Sequence, residues 1–379
     1  MSRLQALRKF GQSVWLDYVQ RSLITSGALR RMVEADGLSG VTSNPTIFEK
    51  AIAGTADYDD RLEAILSDHP RAEARTLYEL LAIEDIQMAA DVLRPVYDET
   101  GGADGFVSFE ASPHLAHDTE GTLGEVRRLW KAVARPNVMI KVPGTPEGIP
   151  AVEALIAEGT NINITLMFSL GHYEAVAQAY LRGLRRCATP ENVASVASFF
   201  VSRVDTVVDH GLVAIGTPQA LALQGKVAIA NAKLVYRRFR EIFDGEAFSP
   251  LRRRGARVQR PLWASTGTKN PAYSDVLYVE GLIGPDTVNT LPPATLDAFR
   301  DHGEVSRAAV QENWQEAWSS LARLKELGID LEAVTEKLQT DGVAAFAASF
   351  DQLLNALGEK RKTIIARQVD QQSRGVRGE

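Results

Sequence analysis

Short apolar segments alternate with longer amphipathic segments along most of this chain. The longer segments show helical periodicity, as in residues 77–97, where apolar side chains recur every three or four positions. Strands that alternate with helices form parallel sheets, and eight such units close into a barrel. The sequence therefore predicts an α/β fold, a (β/α)8 TIM barrel. The eight predicted strands are residues 13–17, 40–44, 105–110, 137–142, 161–166, 193–199, 260–265 and 286–289.

Several predicted connections are longer than a minimal barrel needs. Residues 45–100 and 205–243 have helical patterns, and so does the C-terminal part of the chain. A length of 379 residues suits one large barrel with insertions, and no change of composition marks a second domain. We predict a single domain over residues 1–379, with additional helices in the loops and a helical C-terminal extension over about residues 304–379.

The composition argues against several classes of protein. The net charge is −6 and the basic residues are dispersed, so neither nucleic acid nor an anionic membrane is an expected partner. The single cysteine, Cys187, cannot form an internal disulfide, which favours a reducing compartment. No segment resembles a signal peptide or a membrane span. We predict a cytoplasmic protein.

Polar residues lie at or near the ends of the predicted strands. Burying a polar group inside an apolar strand is costly without a partner, and in a barrel the C-terminal strand ends meet at one mouth, where active sites lie. We therefore expect the polar residues to converge on an active site. In strand order they are Asp17; Thr42, Ser43 and Asn44; Glu110; Lys141; Asn161, Asn163 and Thr165; Ser198 and Arg203; and Ser265 and Lys269.

Lys141 interrupts the apolar strand VMIKV. Burial disfavours the ammonium form and lowers the pKa of a lysine, and the neutral amine is the nucleophile for condensation with a carbonyl. Two other interpretations are open at this point: a lysine that extends from the strand end to water, or a salt bridge with Glu110.

Asp17 and Glu110 could supply the proton transfers that Schiff-base chemistry requires. Asp17 could instead cap a helix predicted over residues 18–34, because aspartate is favoured at that position. Glu110 could instead serve only as an ion-pair partner.

The predicted amide and hydroxyl ligands also have structural alternatives. Asn44 precedes a proline, so it could simply begin a turn. Asn163 and Thr165 alternate on one strand and face the same side, where they could belong to a structural hydrogen-bond network.

Arg203 lies at the predicted start of a helix beyond the sixth strand. An arginine with neighbouring serine and backbone amide groups can form a phosphate site. The alternative is a surface ion pair with Asp205. The loop STGTKN, which ends near Lys269, could bind the same phosphate or be a simple connection.

Metal and nucleotide sites have little support. His114 and His117 are three residues apart, but no further ligands accompany them. The basic run LRRRGARVQR lacks interleaved aromatic residues, and neither GxGxxG nor GxxxxGK[ST] is present. We predict no metal and no cofactor.

Five motifs resemble those of the transaldolase family, in particular its longer bacterial subgroup. The resemblance extends over about residues 13–302, and the lysine motif together with the Asn-x-Thr-Leu motif is specific. The motifs are VTSNPTIF (41–48), MIKVPGTPEG (139–148), NINITLMFS (161–169), SFFVSRVD (198–205) and WASTGTKNPAYSD (263–275).

This resemblance implies a barrel enzyme that forms a Schiff base on Lys141. It implies Asp17 as the acid and base for carbon–carbon cleavage, and Glu110 as a proton carrier through a water, helped by Thr165. The implied reaction moves dihydroxyacetone from sedoheptulose 7-phosphate to glyceraldehyde 3-phosphate, giving erythrose 4-phosphate and fructose 6-phosphate. No metal or organic cofactor is required, because the iminium is the electron sink.

The resemblance also implies how the substrate is held. Asn44 and Asn163 would bind the dihydroxyacetone hydroxyls, and the phosphate would contact Ser198, Arg203 and Ser265. Many members have an arginine shortly after the strand-seven serine, whereas here the stretch is two residues longer and carries a lysine. The remaining predicted substrate-binding residues are Thr42, Phe200 and Lys269.

Three other functions are alternatives. A related fructose 6-phosphate aldolase would release free dihydroxyacetone, a non-catalytic barrel would only bind sugar phosphates, and an isomerase would use Lys141 without a covalent bond. In each case the expected partners are small sugar phosphates, and the expected state is a monomer or homodimer.

Overall fold

The structure, a computed structural model, describes residues 2–375, with side chains as far as residue 368. Its centre is a closed barrel of eight parallel strands in chain order. The predicted (β/α)8 architecture is confirmed, and each predicted strand boundary is within two residues of the observed one. The strands are β1 (Gln12–Leu16), β2 (Gly40–Thr42), β3 (Phe106–Glu110), β4 (Val138–Pro143), β5 (Ile162–Met167), β6 (Ser195–Phe200), β7 (Arg260–Ala264) and β8 (Thr287–Leu291).

Helices surround the barrel and fill its long connections. They bury the outer faces of the strands, which explains why the strands read as nearly continuous apolar runs rather than as alternating patterns. The helices are α1 (Arg3–Leu7), α2 (Arg21–Thr25), α3 (Ala28–Asp36), α4 (Pro45–Phe48), α5 (Asp59–Asp68), α6 (Ala74–Glu99), α7 (Thr119–Val133), α8 (Gly148–Ala157), α9 (Leu170–Arg186), α10 (Ser202–Ile215), α11 (Pro218–Leu221), α12 (Val227–Phe243), α13 (Ser249–Arg253), α14 (Leu277–Gly281), α15 (Pro293–His302), α16 (Trp314–Glu326) and α17 (Leu331–Gly375).

The helix predicted over residues 18–34 is wrong in its extent. The chain forms α2 and α3 instead, separated by Gly27, which adopts a left-handed conformation with φ of 75°. Glycine tolerates this conformation because it has no Cβ atom, and a continuous helix cannot pass through it.

Strand β5 contains an irregularity close to the barrel mouth. Its pairing with β6 shifts register between Ile164 and Met167, and Leu166 between them has a φ of 60°. A bulge of this kind redirects side chains at the end of a strand. The side chains affected are those of Thr165 and its neighbours.

The C-terminal extension is helical, as predicted, and α17 packs across the barrel mouth. Gln339 donates hydrogen bonds from Nε2 to the carbonyl oxygens of Gly144 (3.1 Å) and Leu166 (3.0 Å). Farther along the helix, Ser349 hydrogen-bonds Thr46 at 2.9 Å. The apolar side chains of α17 join the same hydrophobic core as the barrel helices. A single domain over residues 1–379 stays a prediction, and residues 376–379 lie outside the described part of the chain.

Within residues 2–375, no helix combines the length and the apolar character that crossing a membrane requires.

Candidate active site

A cavity of about 270 Å³ opens at the C-terminal ends of the strands. Its walls come from almost every strand end, as expected for a barrel active site. Glu110 and Asn163 are not in the cavity wall but directly behind it. The predicted residues that line the cavity are Asp17, Thr42, Asn44, Lys141, Thr165, Ser198, Phe200, Arg203, Ser265 and Lys269.

Lys141 is buried on β4 and reaches the cavity through its amine. Nζ donates a hydrogen bond to the Ser43 carbonyl oxygen at 3.0 Å and lies 3.3 Å from Oε2 of Glu110. The interpretation of Lys141 as a lysine extended into water is therefore wrong, because its side chain is only 5% exposed. The salt bridge with Glu110 is present, and it places a proton acceptor beside the amine.

Glu110 is enclosed at the end of β3. Burial raises the pKa of its carboxyl group and Asp17 adds to this effect, while the Lys141 ammonium opposes it. Apart from the ion pair with Lys141, neither carboxylate oxygen has a well-aligned hydrogen bond within the described residues. A carboxyl group with a raised pKa beside a lysine can exchange protons during a reaction.

Asp17 follows β1 and is held by the neighbouring strand. Its Oδ1 accepts a hydrogen bond from Thr42 Oγ1 at 2.7 Å, and Thr42 also lies 2.7 Å from the hydroxyl of Thr290. Burial raises the pKa of Asp17, although Lys141 is the strongest of several groups that oppose the shift. The helix-cap interpretation is wrong, because the next helix begins at Arg21 and not beside Asp17.

Thr165 carries a buried hydroxyl group in the cavity wall. Its Oγ1 has no hydrogen-bond partner within the described residues. A buried hydroxyl without a partner costs free energy unless a ligand or water completes its bonding. The bulge at Leu166 sets the backbone around this hydroxyl.

Asn163 and Ser198 form one hydrogen-bonded unit across β5 and β6. Asn163 donates from Nδ2 to Ser108 Oγ at 2.9 Å and accepts at Oδ1 from Ser198 Oγ at 2.6 Å. The structural network considered from the sequence is therefore present, and it fixes the serine that faces the cavity. A direct contact between Asn163 and substrate stays a prediction.

Asn44 faces the cavity and also caps α4. Its Oδ1 accepts a hydrogen bond from the backbone N–H of Ile47 at 2.9 Å, which fixes the side chain. Asn44 thus begins the turn into α4 and also lines the cavity, so the two interpretations of this residue are compatible. The prediction that Asn161 lies at the mouth is wrong: it lies at the opposite end of β5 and bonds the backbone of Pro136, Val138 and Ala194.

Arg203 is the second residue of α10, and its guanidinium carbon lies 5.2 Å from the ring centroid of Phe200. Burial lowers its pKa, with Asp17 opposing. The surface ion pair with Asp205 is wrong: that carboxylate accepts hydrogen bonds from Ala228 N (2.7 Å) and Tyr278 Oη (3.0 Å). The arginine is thus directed to the cavity.

Ser265 and Lys269 belong to the loop after β7. Ser265 has a φ of 54° and its hydroxyl lies 3.0 Å from that of Ser202 at the start of α10. The loop is tethered farther on by Tyr273, which donates to Asp209 at 2.7 Å. Lys269 in this loop lines the same cavity as Arg203, and binding of phosphate by the loop stays a prediction.

Lys50 is a cavity residue that sequence analysis missed. It lies on a π-helical turn, Glu49–Ala53, and lines the cavity with Arg203 and Lys269. Within the described residues, none of these three cations forms an ion pair. The sequence feature that could have indicated Lys50 is its position two residues after the SNPTIF segment. The cavity walls thus carry four cations, including Lys141, against one carboxylate, which favours an anionic ligand.

The two histidines considered as metal ligands point elsewhere. His114 hydrogen-bonds Asp351 at 2.7 Å, and His117 hydrogen-bonds Glu147 at 3.1 Å. In the portion of the chain that the structure describes, no group of histidine, cysteine, aspartate and glutamate residues could hold a metal ion.

Comparison with known proteins gives a consistent result. A family model described as transaldolase/fructose-6-phosphate aldolase matches residues 14–357. The chain is 48% identical to the transaldolase of Thiobacillus denitrificans, over 94% of this chain and all of the relative. It is 46% identical to transaldolase 2 of Nostoc punctiforme, over 96% and 98% of the two chains, and 46% identical to the transaldolase of Thermobifida fusca, over 95% and 98%.

Proposed function

The chain belongs to the transaldolase/fructose-6-phosphate aldolase family, and from this premise we propose its reaction and the residues that perform it. The protein is a transaldolase. It moves a dihydroxyacetone unit from sedoheptulose 7-phosphate to glyceraldehyde 3-phosphate, giving erythrose 4-phosphate and fructose 6-phosphate. The observation that carries this proposal is the buried Lys141–Glu110 pair beside Asp17 in a cation-lined cavity.

Binding begins at the phosphate group. Arg203 offers a planar, two-pronged donor at the start of α10, while Lys269 contributes a point charge from the loop after β7. Ser198 and Ser265 add hydroxyl groups to the same wall. Neutralising the phosphate at this end directs the ketose carbonyl toward Lys141.

Condensation follows at Lys141. The ammonium gives a proton to Glu110, and the neutral amine attacks the C2 carbonyl to form a carbinolamine. Proton return to the carbinolamine hydroxyl lets water leave, and the product is an iminium. The Thr165 hydroxyl has no hydrogen-bond partner among the described residues, so a water bound there would let Glu110 deliver protons without moving.

Cleavage uses the second carboxyl group. Asp17 accepts the C4 hydroxyl proton as the C3–C4 bond breaks, the aldose leaves, and the electron pair passes to the iminium to give an enamine. Thr42 holds Asp17 in place for this step. Addition of the enamine to the acceptor aldehyde reverses the sequence, and hydrolysis releases the new ketose.

Substrate selection involves Phe200 and the two asparagines. The phenyl ring stacks beneath Arg203 and packs on Phe168, with ring centroids 5.2 Å apart, so it forms an apolar part of the wall. Asn44 binds a dihydroxyacetone hydroxyl, and Asn163 orients Ser198 or contacts a second hydroxyl.

Borohydride trapping tests the proposed function. With fructose 6-phosphate present, reduction should convert the iminium to a stable secondary amine, and peptide mapping should find the adduct on Lys141. Without sugar no adduct should form. The Lys141→Ala variant should lose adduct and activity together, whereas Lys131→Ala on α7 is the matched control and should keep both.

The outcomes separate the competing functions. An active enzyme without adduct favours the isomerase, and an adduct on another lysine overturns the role of Lys141. Release of dihydroxyacetone at the same rate with and without an acceptor aldehyde identifies the aldolase. Binding of sugar phosphate without adduct or turnover identifies a non-catalytic barrel. A cytoplasmic location and a monomeric or homodimeric state are predictions that rest on the sequence.

A further inference from the structure

The C-terminal helix α17 passes directly over the predicted phosphate site. Gly342 of this helix stands where an added Cβ would lie 3.0 Å from Leu166 Cδ2 and 3.7 Å from Arg203 Nη1. The first distance is tighter than an ordinary carbon–carbon contact, and the second is a direct contact. Even a methyl group at position 342 would press on Leu166, and any larger side chain would reach the guanidinium of Arg203.

Contacts on both sides of Gly342 hold α17 against the barrel mouth. One turn before Gly342, the buried amide of Gln339 bonds the backbone carbonyls of Gly144 and Leu166. One turn beyond it, Phe346 is buried and lines the cavity. Because these anchors flank position 342, a larger residue there would displace its neighbours rather than the helix.

Arg203 occupies a confined position that suits a ligand-binding cation. Phe200 lies on one side of the guanidinium and α17 on another, and no carboxylate pairs with it within the described residues. Removing water strengthens the attraction of this charge for an anion. The benefit depends on the guanidinium staying aligned, since a small displacement of a two-pronged donor weakens both of its contacts with a phosphate.

We propose that Gly342 is a positioning residue for phosphate recognition, which acts by leaving space for the guanidinium of Arg203 and the side chain of Leu166. This inference rests on the proposed function in one respect, namely that Arg203 binds the substrate phosphate. It gives the C-terminal extension a defined role: α17 completes the phosphate site from above without donating a charged group of its own.

The test compares two glycines of the same helix. Gly342→Val places a branched side chain against Arg203, whereas Gly358→Val adds the same side chain where a Cβ would meet nothing within 4 Å. Gly342→Ala is a milder variant that only crowds Leu166. For each protein we would measure KM for fructose 6-phosphate, the inhibition constant of inorganic phosphate, and borohydride trapping of unphosphorylated dihydroxyacetone on Lys141.

Gly342→Val should raise both KM and the phosphate inhibition constant by about tenfold, in line with the coupling expected between contacting residues. Gly342→Ala should show a smaller rise, and Gly358→Val none. Trapping of dihydroxyacetone should stay at the wild-type level in all three, since that substrate carries no phosphate.

Two results would overturn the inference: an unchanged phosphate inhibition constant in Gly342→Val, or an equal loss of dihydroxyacetone trapping, which would indicate general disruption. The Arg203→Ala variant separates this inference from the proposed function. If Arg203→Ala leaves phosphate inhibition unchanged, the proposed phosphate site is wrong. If it weakens phosphate inhibition, Gly342→Val should add nothing further in that background.

Discussion

The arginines at the two ends of the barrel, Arg260 and Arg203, have opposite surroundings. At the N-terminal end, Asp104 accepts hydrogen bonds from Trp15 Nε1 (2.8 Å) and Ser13, and lies 3.5 Å from Arg260 Nη2. Arg260 also donates to Ser13 Oγ at 2.7 Å. At the mouth, Arg203 lies beside an aromatic ring and a helix and has no carboxylate partner among the described residues. At the N-terminal end the charged groups bind each other, whereas at the mouth the guanidinium of Arg203 can still bind a ligand.

The two carboxyl groups at the mouth, Asp17 and Glu110, are also in surroundings that disfavour their charge. Burial raises the pKa of both Asp17 and Glu110, so each is less stable as an anion than it would be in water. These two carboxyl groups at the barrel mouth thus carry a cost in folding stability when they are ionised. Unsatisfied charge, rather than polarity alone, distinguishes the catalytic end from the structural end.

The largest expected effect is the loss of turnover in Asp17→Asn. Asparagine keeps the shape and loses the base, so kcat should fall by about 10²–10⁴-fold, the usual contribution of a positioned acid or base. The ketose adduct on Lys141 should accumulate, because condensation does not need Asp17. Quenched-flow kinetics with mass spectrometry of the reduced protein measures both. Near-normal turnover would remove Asp17 from the mechanism.

A mutation at the opposite end should affect stability instead. Arg260→Met leaves Asp104 buried without its cation, and breaking such a pair should lower the free energy of unfolding by about 3 kcal/mol. Denaturant unfolding measures this free energy. The kcat, divided by the number of active sites that borohydride trapping detects, should not change. The matched variant at the mouth, Arg203→Met, should cost little stability. Equal destabilisation by the two variants would contradict the comparison.

Arg203→Ala should weaken phosphate recognition by about 1.5–3 kcal/mol, the range for a hydrogen bond to a charged group. This corresponds to a rise of roughly 10- to 150-fold in KM for fructose 6-phosphate. Dihydroxyacetone, which lacks the phosphate, should be trapped as before. Steady-state kinetics and trapping yields decide the matter, and similar losses for both substrates would place the phosphate elsewhere.

Lys269→Ala should show the same pattern with a smaller change. A lysine binds phosphate as a mobile point charge, so its loss should raise KM by a few-fold, less than the loss of the fixed guanidinium. A normal KM in this variant would reduce the loop after β7 to a structural connection.

The strands and the mouth could be predicted because the sequence marks them locally. VMIKV is apolar on both sides of one lysine, and parallel strands end at a common edge, so Lys141 and its neighbours had to meet. Asn161 was misplaced because it stands at the start of the same short polar-apolar pattern that ends in Thr165. The pattern alone did not tell which of these residues faces the mouth.

The remaining contacts join segments that are far apart in sequence. Gln339 bonds residues 195 and 173 positions earlier in the chain, and a Cβ added at Gly342 would contact Arg203 on the distant helix α10. No periodicity of α17 shows which barrel residues it covers. The sequence also does not show which glycines must lack a side chain, because that depends on neighbours that are distant along the chain.

The smallest expected effect tests whether the mouth carries its charges at a cost. Asp17 has an ordinary pKa of 3.8, and burial raises this pKa in the folded protein. Below 3.8 both the folded and the unfolded chain are protonated there. As pH rises, the unfolded chain ionises first, so this carboxyl lowers the stability of the fold, and the loss persists above the folded pKa. Asp17→Asn removes the titration and should be more stable than wild type at pH 7.

The advantage of Asp17→Asn should decrease toward pH 4, and denaturant unfolding across that range gives the difference directly. Asp68→Asn is the control, since it makes the same chemical change at an exposed aspartate on α5. Asparagine can still accept the hydrogen bond from Thr42, so the difference reports mainly on the charge. If Asp17→Asn is less stable than wild type at pH 7, or if the difference does not vary with pH, then burial does not destabilise the Asp17 anion and the mouth carries no such cost.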